Sequence, residues 1–405
     1  MLSSFPSFSF LLFNLIHDMG NTTSNENSDS SKALTKIPKH LQPIKKKPTP
    51  KKSSSNSAPT QPGIIPRVKN THHHSHNNRH HDNRCNNALG IARNDSSTSD
   101  LQFRWTQGRR FPNIENIEYF LPNDQTEQDR HRVQFYVIRW AFGSRHIVPP
   151  EIKPRLFEGI RVLDVNCGPG LWVGHPILDM AQDFVRSTFN LVDIYDLLPQ
   201  QPVFNVHTRK QEPEQKYPNF TFILHNILQT KKLPFDSNQF DYAQQHITAL
   251  TYKQQDWPII LKELSRVVKP GGYIQLIEID LMPQHLGPQG ELWLEQIHQV
   301  LIEKRNTEPR MACQLEKSLL DLGLVDVQSK FVSIPLGSWG LDLGNLWKQN
   351  FESFFDSAKP FLTELMEISG REYKRKVQAM LDEFNEYKPF SNIYLAWGRV
   401  PDEQQ

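Results

Sequence analysis

The sequence predicts a doubly wound, Rossmann-like α/β domain built on a mostly parallel sheet of about seven strands. Three observations carry this. From Arg161 onward, short β-branched or aromatic runs alternate with helical patterns, as parallel strands require when each crossover is a helix. The run Val162-Leu163-Asp164-Val165 ends beside an acid and passes into a turn, Asn166-Cys167-Gly168-Pro169-Gly170, whose missing side chains let backbone approach a ligand. Twenty-three residues after Gly170 a second hydrophobic run ends in Asp193, and an acid so placed in a βαβ unit accepts hydrogen bonds from the hydroxyls of a ribose.

Taken in chain order, the first 102 of the 405 residues read as a low-complexity, disordered tail. Residues 21 to about 100 are dominated by Ser, Thr, Asn, His, Lys and Pro, and such a stretch buries too little surface to offset the entropy of ordering. Phe8 to Ile16 is apolar but short, with no basic segment before it and no small-residue cleavage site after it, so neither a transmembrane segment nor a secretory signal is expected. Met19-Gly20-Asn21-Thr22-Thr23-Ser24 reads as an N-myristoylation signal only if translation starts at Met19. Pro38 to Lys52, with Lys45, Lys46, Lys47, Lys51 and Lys52 free of any acid, reads as a solvated linker or a nuclear-import signal. The tract from His72 to His81 lacks the hydrophobic surround that fixes metal geometry, so no metal site is expected.

The formal net charge of +2 is therefore a cancellation between a basic tail and a mildly acidic remainder, which argues against specific nucleic-acid binding by the folded part. Three widely spaced cysteines, Cys85, Cys167 and Cys313, form neither a disulfide framework nor a zinc pattern and fit a reducing intracellular compartment, cytoplasm or nucleus.

Order is expected from Phe103, as one domain over 103–405. Asp124 to Phe142 places Val133, Phe135, Tyr136, Ile138 and Trp140 among charged neighbours, an amphipathic helix. Strands follow at Arg161–Val165, Asn190–Ile194, Asn219–Leu224, Phe240–Gln244 and Gly272–Asp280, with helices at Pro176–Phe184 and Trp257–Val268. Pro258 opens the latter and Lys269-Pro270-Gly271-Gly272 stops it. Helical patterns from about 287 to 387, interrupted by a strand at Val325–Ile334, read as an insertion or lid before a last strand at Ser391–Val400. The stripe Trp347, Phe351, Phe354 and Phe355 reads as ordinary core packing rather than a pocket wall.

The glycine loop discriminates between cofactors. Dinucleotide sites want G-x-G-x-x-G, whereas Val173 occupies the third glycine position here and Gly174 follows one residue late. Asp164 would repel a phosphate and welcome a cationic amino group, so the loop points to a cofactor with adenosine and an amino acid but no pyrophosphate.

At this point the chain resembles the class I S-adenosylmethionine-dependent methyltransferases, whose first motif is D-x-G-x-G-x-G after a strand. Leu233-Pro234-Phe235, Phe240-Asp241-Tyr242 and Leu264-Ser265-Arg266-Val267-Val268-Lys269-Pro270-Gly271-Gly272 match the same family in order. Tyr119-Phe120-Leu121-Pro122-Asn123-Asp124, followed by the helix carrying Gln134, is similar to the leading segment of the fungal branch that includes regulators of secondary metabolism.

The resemblance implies that Gly168 and Gly170 line the methionine end of S-adenosylmethionine, that Asp164 supports its amino group and that Asp193 holds its ribose. It further implies that Asn226 bonds the adenine amino group beside the Ile227 amide, and that Gln244 flanks the methionine moiety through its backbone. The chain departs from the family at Asn166, which replaces the first glycine with the common residue that, after glycine, most readily adopts left-handed backbone. It departs again at Pro176, which delays or kinks the following helix.

Methyl transfer from a sulfonium is an in-line displacement driven by positioning and exclusion of water, and a base is needed only when the acceptor must lose a proton. His246 is the best-placed candidate base, with Tyr242 behind it. No Asn/Asp-Pro-Pro-Tyr run follows the fourth strand and no Pro-Cys nucleophile occurs, so the expected acceptor is a small molecule or a protein side chain rather than a DNA base. Two other readings stand beside methyl transfer: a catalytically silent regulatory or interaction protein of this fold, and a nicotinamide-dependent oxidoreductase.

Overall fold

The computed structural model describes residues 103–113, 119–168, 179–195, 204–205, 210–211 and 219–402. Everything expected of the tail lies outside them, as do Pro169, Gly170 and the stretch from Trp172 to Pro176.

The described chain opens with a hairpin, β1 (Phe103–Thr106) and β2 (Arg109–Pro112), and continues with α1 (Gln125–Ala141) and α2 (Ile152–Glu158). β3 (Arg161–Val165), α3 (Asp179–Asp183), β4 (Thr188–Asp193), the two-residue strands β5 (Phe204–Asn205) and β6 (Lys210–Gln211), β7 (Phe220–Leu224) and α4 (Ile227–Thr230) follow. Next come β8 (Phe240–His246), α5 (Trp257–Val267), β9 (Val268–Ile279), α6 (Pro288–Arg305), α7 (Leu315–Asp321) and β10 (Val325–Pro335). The last elements are α8 (Leu341–Leu365), α9 (Gly370–Tyr387) and β11 (Phe390–Arg399).

Seven strands form one sheet in the order β10-β11-β9-β8-β3-β4-β7. β7, β4, β3, β8 and β9 pair in parallel, and β11 runs antiparallel to both β9 and β10. The chain leaves β3 toward β4 and β7 on one side and then crosses to β8 on the other, so the order reverses at β3. Ligands of open α/β sheets bind beyond the carboxyl ends of the strands at such a reversal.

Burial explains the central strands. Val162, Leu163 and Val165 of β3 are wholly buried because the strand is covered on both faces. On one face α5 inserts Trp257, Ile260, Leu261, Leu264 and Val267 into a cluster with Leu163, Ala243, Ile274 and Leu276. Each such side chain stabilises the fold by about 1.5–3 kcal/mol. Pro258 sits in the first turn of α5, where its missing N–H has no partner to lose. The next strand starts at once at Val268, four residues earlier than expected, because Val268 pairs with Phe240 and a register shift absorbs Pro270. Gly272 is required there: a β-carbon would lie 2.6 Å from Val268 and 2.9 Å from the Asp241 carbonyl.

β8 runs two residues further than its sequence indicated, because Gln245 pairs with both β3 and β9 and His246 with Ile277 of β9. The span 287–387 is divided by β10: α7 packs on β10 and β11, whereas α8 packs on α1 and α9 on α6. Among the described residues no helix is long and apolar enough to cross a membrane.

Candidate active site

A large cavity lies at the strand ends. Its polar end is built by Asn166, Cys167 and Gly168 after β3, Asp193 to Tyr195 after β4, and Asn226 and Ile227 after β7. His246 at the end of β8 and the residues that follow it to Tyr252, with Glu278 of β9 and Asp280 just after it, form one wall. α1, α6 and α8 close the rest, the last with Trp347, Asn350, Phe351, Phe354 and Phe355.

Asp193 stands where expected. Its Oδ2 accepts the Gly168 amide at 2.8 Å and its Oδ1 accepts the Ile194 and Tyr195 amides at 2.7 and 3.3 Å. Burial lifts its carboxyl to about 6 against those amides. Asn166 and Gly168 both take left-handed backbone, at φ 56° and 55°, so asparagine meets the conformation of the glycine it replaces. Asn226 caps α4, its Oδ1 accepting the Gln229 amide at 3.2 Å; a carbonyl oxygen has a second lone pair, so this cap leaves room for a bond to an adenine amino group. The Ile227 amide lies in the first turn of α4 and has no acceptor within that helix.

Two expectations are corrected. Gln244 does not line this cavity: it is interior to β8, in register with Asp164 on one side and Gln275 on the other, so its backbone belongs to the ladders. It accepts the Tyr242 hydroxyl at 3.0 Å and borders a small separate pocket. Asp164 lies beneath the cavity, 1% exposed, and burial pushes its carboxyl well above the usual carboxylate range despite Gln244 beside it. It therefore does not line the cavity. Tyr242 is likewise buried below the site.

His246 does line the cavity. Its Nδ1 is 3.8 Å from Asp164 Oδ1 and its Nε2 is 3.5 Å from Gln275 Nε2. Burial holds it at about 3, so the imidazole is neutral near pH 7.

Sequence reasoning missed three sets of residues. The aromatic stripe of α8 packs within itself, with Phe351 and Phe355 rings 5.0 Å apart, and also faces the cavity. On α1 the charged face expected in solvent is buried. Glu127 accepts Arg130 at 2.7 Å and Ser357 at 2.6 Å, and Arg130 Nη1 donates to Gln134 at 2.7 Å. Burial opposes the charge on Glu127, yet Arg130 and His131 hold it below the usual range. Glu278 accepts the Thr248 amide at 2.7 Å, the Thr248 hydroxyl at 2.9 Å and the Ala249 amide at 3.1 Å, and burial lifts it to about 7. The signal for Glu278 was present, an acid inside the apolar run Tyr273–Ile279 at a strand's carboxyl end; Tyr252 left none.

Residues 162–272, from β3 into β9, match the profile of a methyltransferase domain. The chain is 26% identical over 265 residues to Methyltransferase pytC of Aspergillus terreus, a match spanning 63% of this chain and 74% of that protein. It is 25% identical over 247 residues to Secondary metabolism regulator LAE1 of Cochliobolus heterostrophus, spanning 58% and 71%. It is 24% identical over 246 residues to Protein-methionine methyltransferase laeA of Emericella nidulans, spanning 60% of this chain and 59% of that protein. With the strand order already in place, the domain match and these relatives support a class I S-adenosylmethionine-dependent methyltransferase related to the fungal branch of secondary-metabolism regulators.

Proposed function

We propose that the polar end of the cavity holds S-adenosylmethionine and that the aromatic end beneath α6 and α8 receives an apolar methyl acceptor, first of all the thioether of a methionine side chain. The carrying observation is that one continuous cavity joins the Asp193 end to the aromatic stripe of α8. The residues fit the cofactor in kind: Asp193 for a ribose, Asn226 and the Ile227 amide for an adenine, and the Gly168 turn for close approach. The cofactor, when bound, supplies an electrophilic methyl group on a sulfonium.

The chain's own part is positional. Asp193 and Asn226 orient, while Trp347, Phe351, Phe354 and Phe355 exclude water and hold the acceptor at near-attack distance. Sulfur makes favourable contacts with aromatic rings, and a thioether has no proton to lose. The relative from Emericella nidulans bears the name protein-methionine methyltransferase, which supports this acceptor class; a small apolar molecule of similar shape is the other form it can take. His246, neutral near pH 7, is a candidate proton acceptor only for acceptors that carry one.

Calorimetric titration of the full chain with S-adenosylmethionine tests the reading. Binding that Asp193→Ala reduces at least about tenfold, as expected when a buried acceptor is lost, supports it. Absence of heat with the wild-type chain, or an unchanged affinity in Asp193→Ala, counts against it.

A further inference from the structure

Asn166 occupies the first glycine position of the cofactor loop, and its side chain belongs to a chain of hydrogen bonds whose direction can be read from one end. Glu278 Oε1 takes the Thr248 amide at 2.7 Å and Oε2 the Ala249 amide at 3.1 Å, so both carboxyl oxygens act as acceptors. In the ionised form, which prevails above about pH 7, Oε1 also takes the Thr248 hydroxyl at 2.9 Å and that hydroxyl spends its proton on the carboxylate. Thr248 Oγ1 must then accept from its other neighbour, and Gln245 Nε2 donates to it at 2.8 Å. That turns Gln245 Oε1 toward Tyr252, whose hydroxyl donates to it at 3.3 Å. Tyr252, its one proton spent, accepts from Asn166 Nδ2.

The far end of the chain is thereby determined. The Asn166 amide nitrogen faces Tyr252, and Oδ1 is left without a hydrogen bond among the described residues, on a residue that lines the cavity. Amide oxygen and nitrogen are told apart by their partners, and here four successive bonds settle which is which. The opposite orientation would present an N–H₂ group and suit an anion. The observed one presents an acceptor and suits a cation, beside a loop from which the acid expected to serve that cation, Asp164, is withdrawn by burial.

We propose that Asn166 Oδ1 accepts a hydrogen bond from the α-ammonium group of the cofactor, and that Tyr252, Gln245, Thr248 and Glu278 are positioning residues that hold the amide in this sense. This rests on the reading of the cavity as an S-adenosylmethionine site. Replacing the first glycine by asparagine thus adds a binding atom without straining the turn, since the backbone is left-handed in either case.

The test uses the full chain and two probes in calorimetric titrations: S-adenosylhomocysteine, and its deamino analogue with hydrogen in place of the α-amino group. Asn166→Gly keeps a backbone suited to φ 56° and removes only the amide. It is expected to weaken S-adenosylhomocysteine about tenfold, the scale of a hydrogen bond to a charged group, and to leave the deamino analogue unchanged. Tyr252→Phe, which frees the amide to turn, is expected to lose part of the same preference. Asn166→Asp, which keeps an acceptor, is expected to retain it. Asn166→Gly binding S-adenosylhomocysteine as tightly as wild type, or weakening both probes equally, overturns the proposal. A wild-type chain that binds neither probe overturns the cofactor reading and this proposal with it.

Discussion

At the scale of single residues, Asn166 and Asp193 show how far spacing reaches. Asn166 was expected to substitute for glycine because its short amide tolerates left-handed backbone, and its φ of 56° bears this out. Asp193 was expected at a strand end, and there it is pinned by three amides. Since burial lifts its carboxyl to about 6, protonation below that pH removes an acceptor. Affinity for S-adenosylhomocysteine is therefore expected to be greatest near pH 8, to start falling as Glu278 takes a proton near 7 and to fall further, by up to about tenfold per unit, below about 6. Titrations across pH 5 to 8 check this; a flat profile would place the ribose elsewhere. Asp164 and Gln244 went astray for a common reason. Spacing locates a residue along a strand but not the depth at which its side chain stops, and both remain inside the sheet.

At the scale of elements, patterns of apolar residues located β3 to the residue and most other boundaries within a few residues, because a central parallel strand is apolar on both faces. The exceptions are informative. β8 continues through Gln245 and His246 because β9 pairs with both and β3 with the first, a cause absent from the local sequence. α1 buries Glu127 and Arg130 because α8, more than two hundred residues away, brings Ser357 and Asn350 against them: Asn350 Nδ2 donates to the Arg130 carbonyl at 2.8 Å. Glu127→Ala leaves Arg130, its side chain 4% exposed, without its counter-charge. Breaking a buried pair from one side costs about 3–5 kcal/mol, and urea unfolding of this variant should show a loss of that size. A loss below about 1 kcal/mol would mean that apolar contacts alone hold α1 to α8.

At the scale of the whole molecule, the ends of five parallel strands and the three helices α1, α6 and α8 meet around one cavity. A ligand bound there touches elements from almost the full length of the domain, so binding is coupled to global unfolding. At about a hundredfold excess over its dissociation constant, a ligand specific to the folded state adds about 2.7 kcal/mol, which for a domain of this size raises the melting temperature by about 5 °C. Differential scanning calorimetry with S-adenosylhomocysteine is expected to show that rise, and the Asp193→Ala variant to lack it.

Order along the chain was enough to establish the doubly wound sheet and the cofactor class, and to put Asn166, Gly168, Asp193 and Asn226 at the strand ends that line the cavity. Those features depend on local periodicity and on short-range turns, and both are written in consecutive residues. The aromatic wall of the cavity, the buried charges of α1 and the direction of the bonds from Glu278 to Asn166 depend on which distant segments meet. Contact between residues so far apart in sequence is decided by packing of the whole core, and so became visible only in the folded molecule.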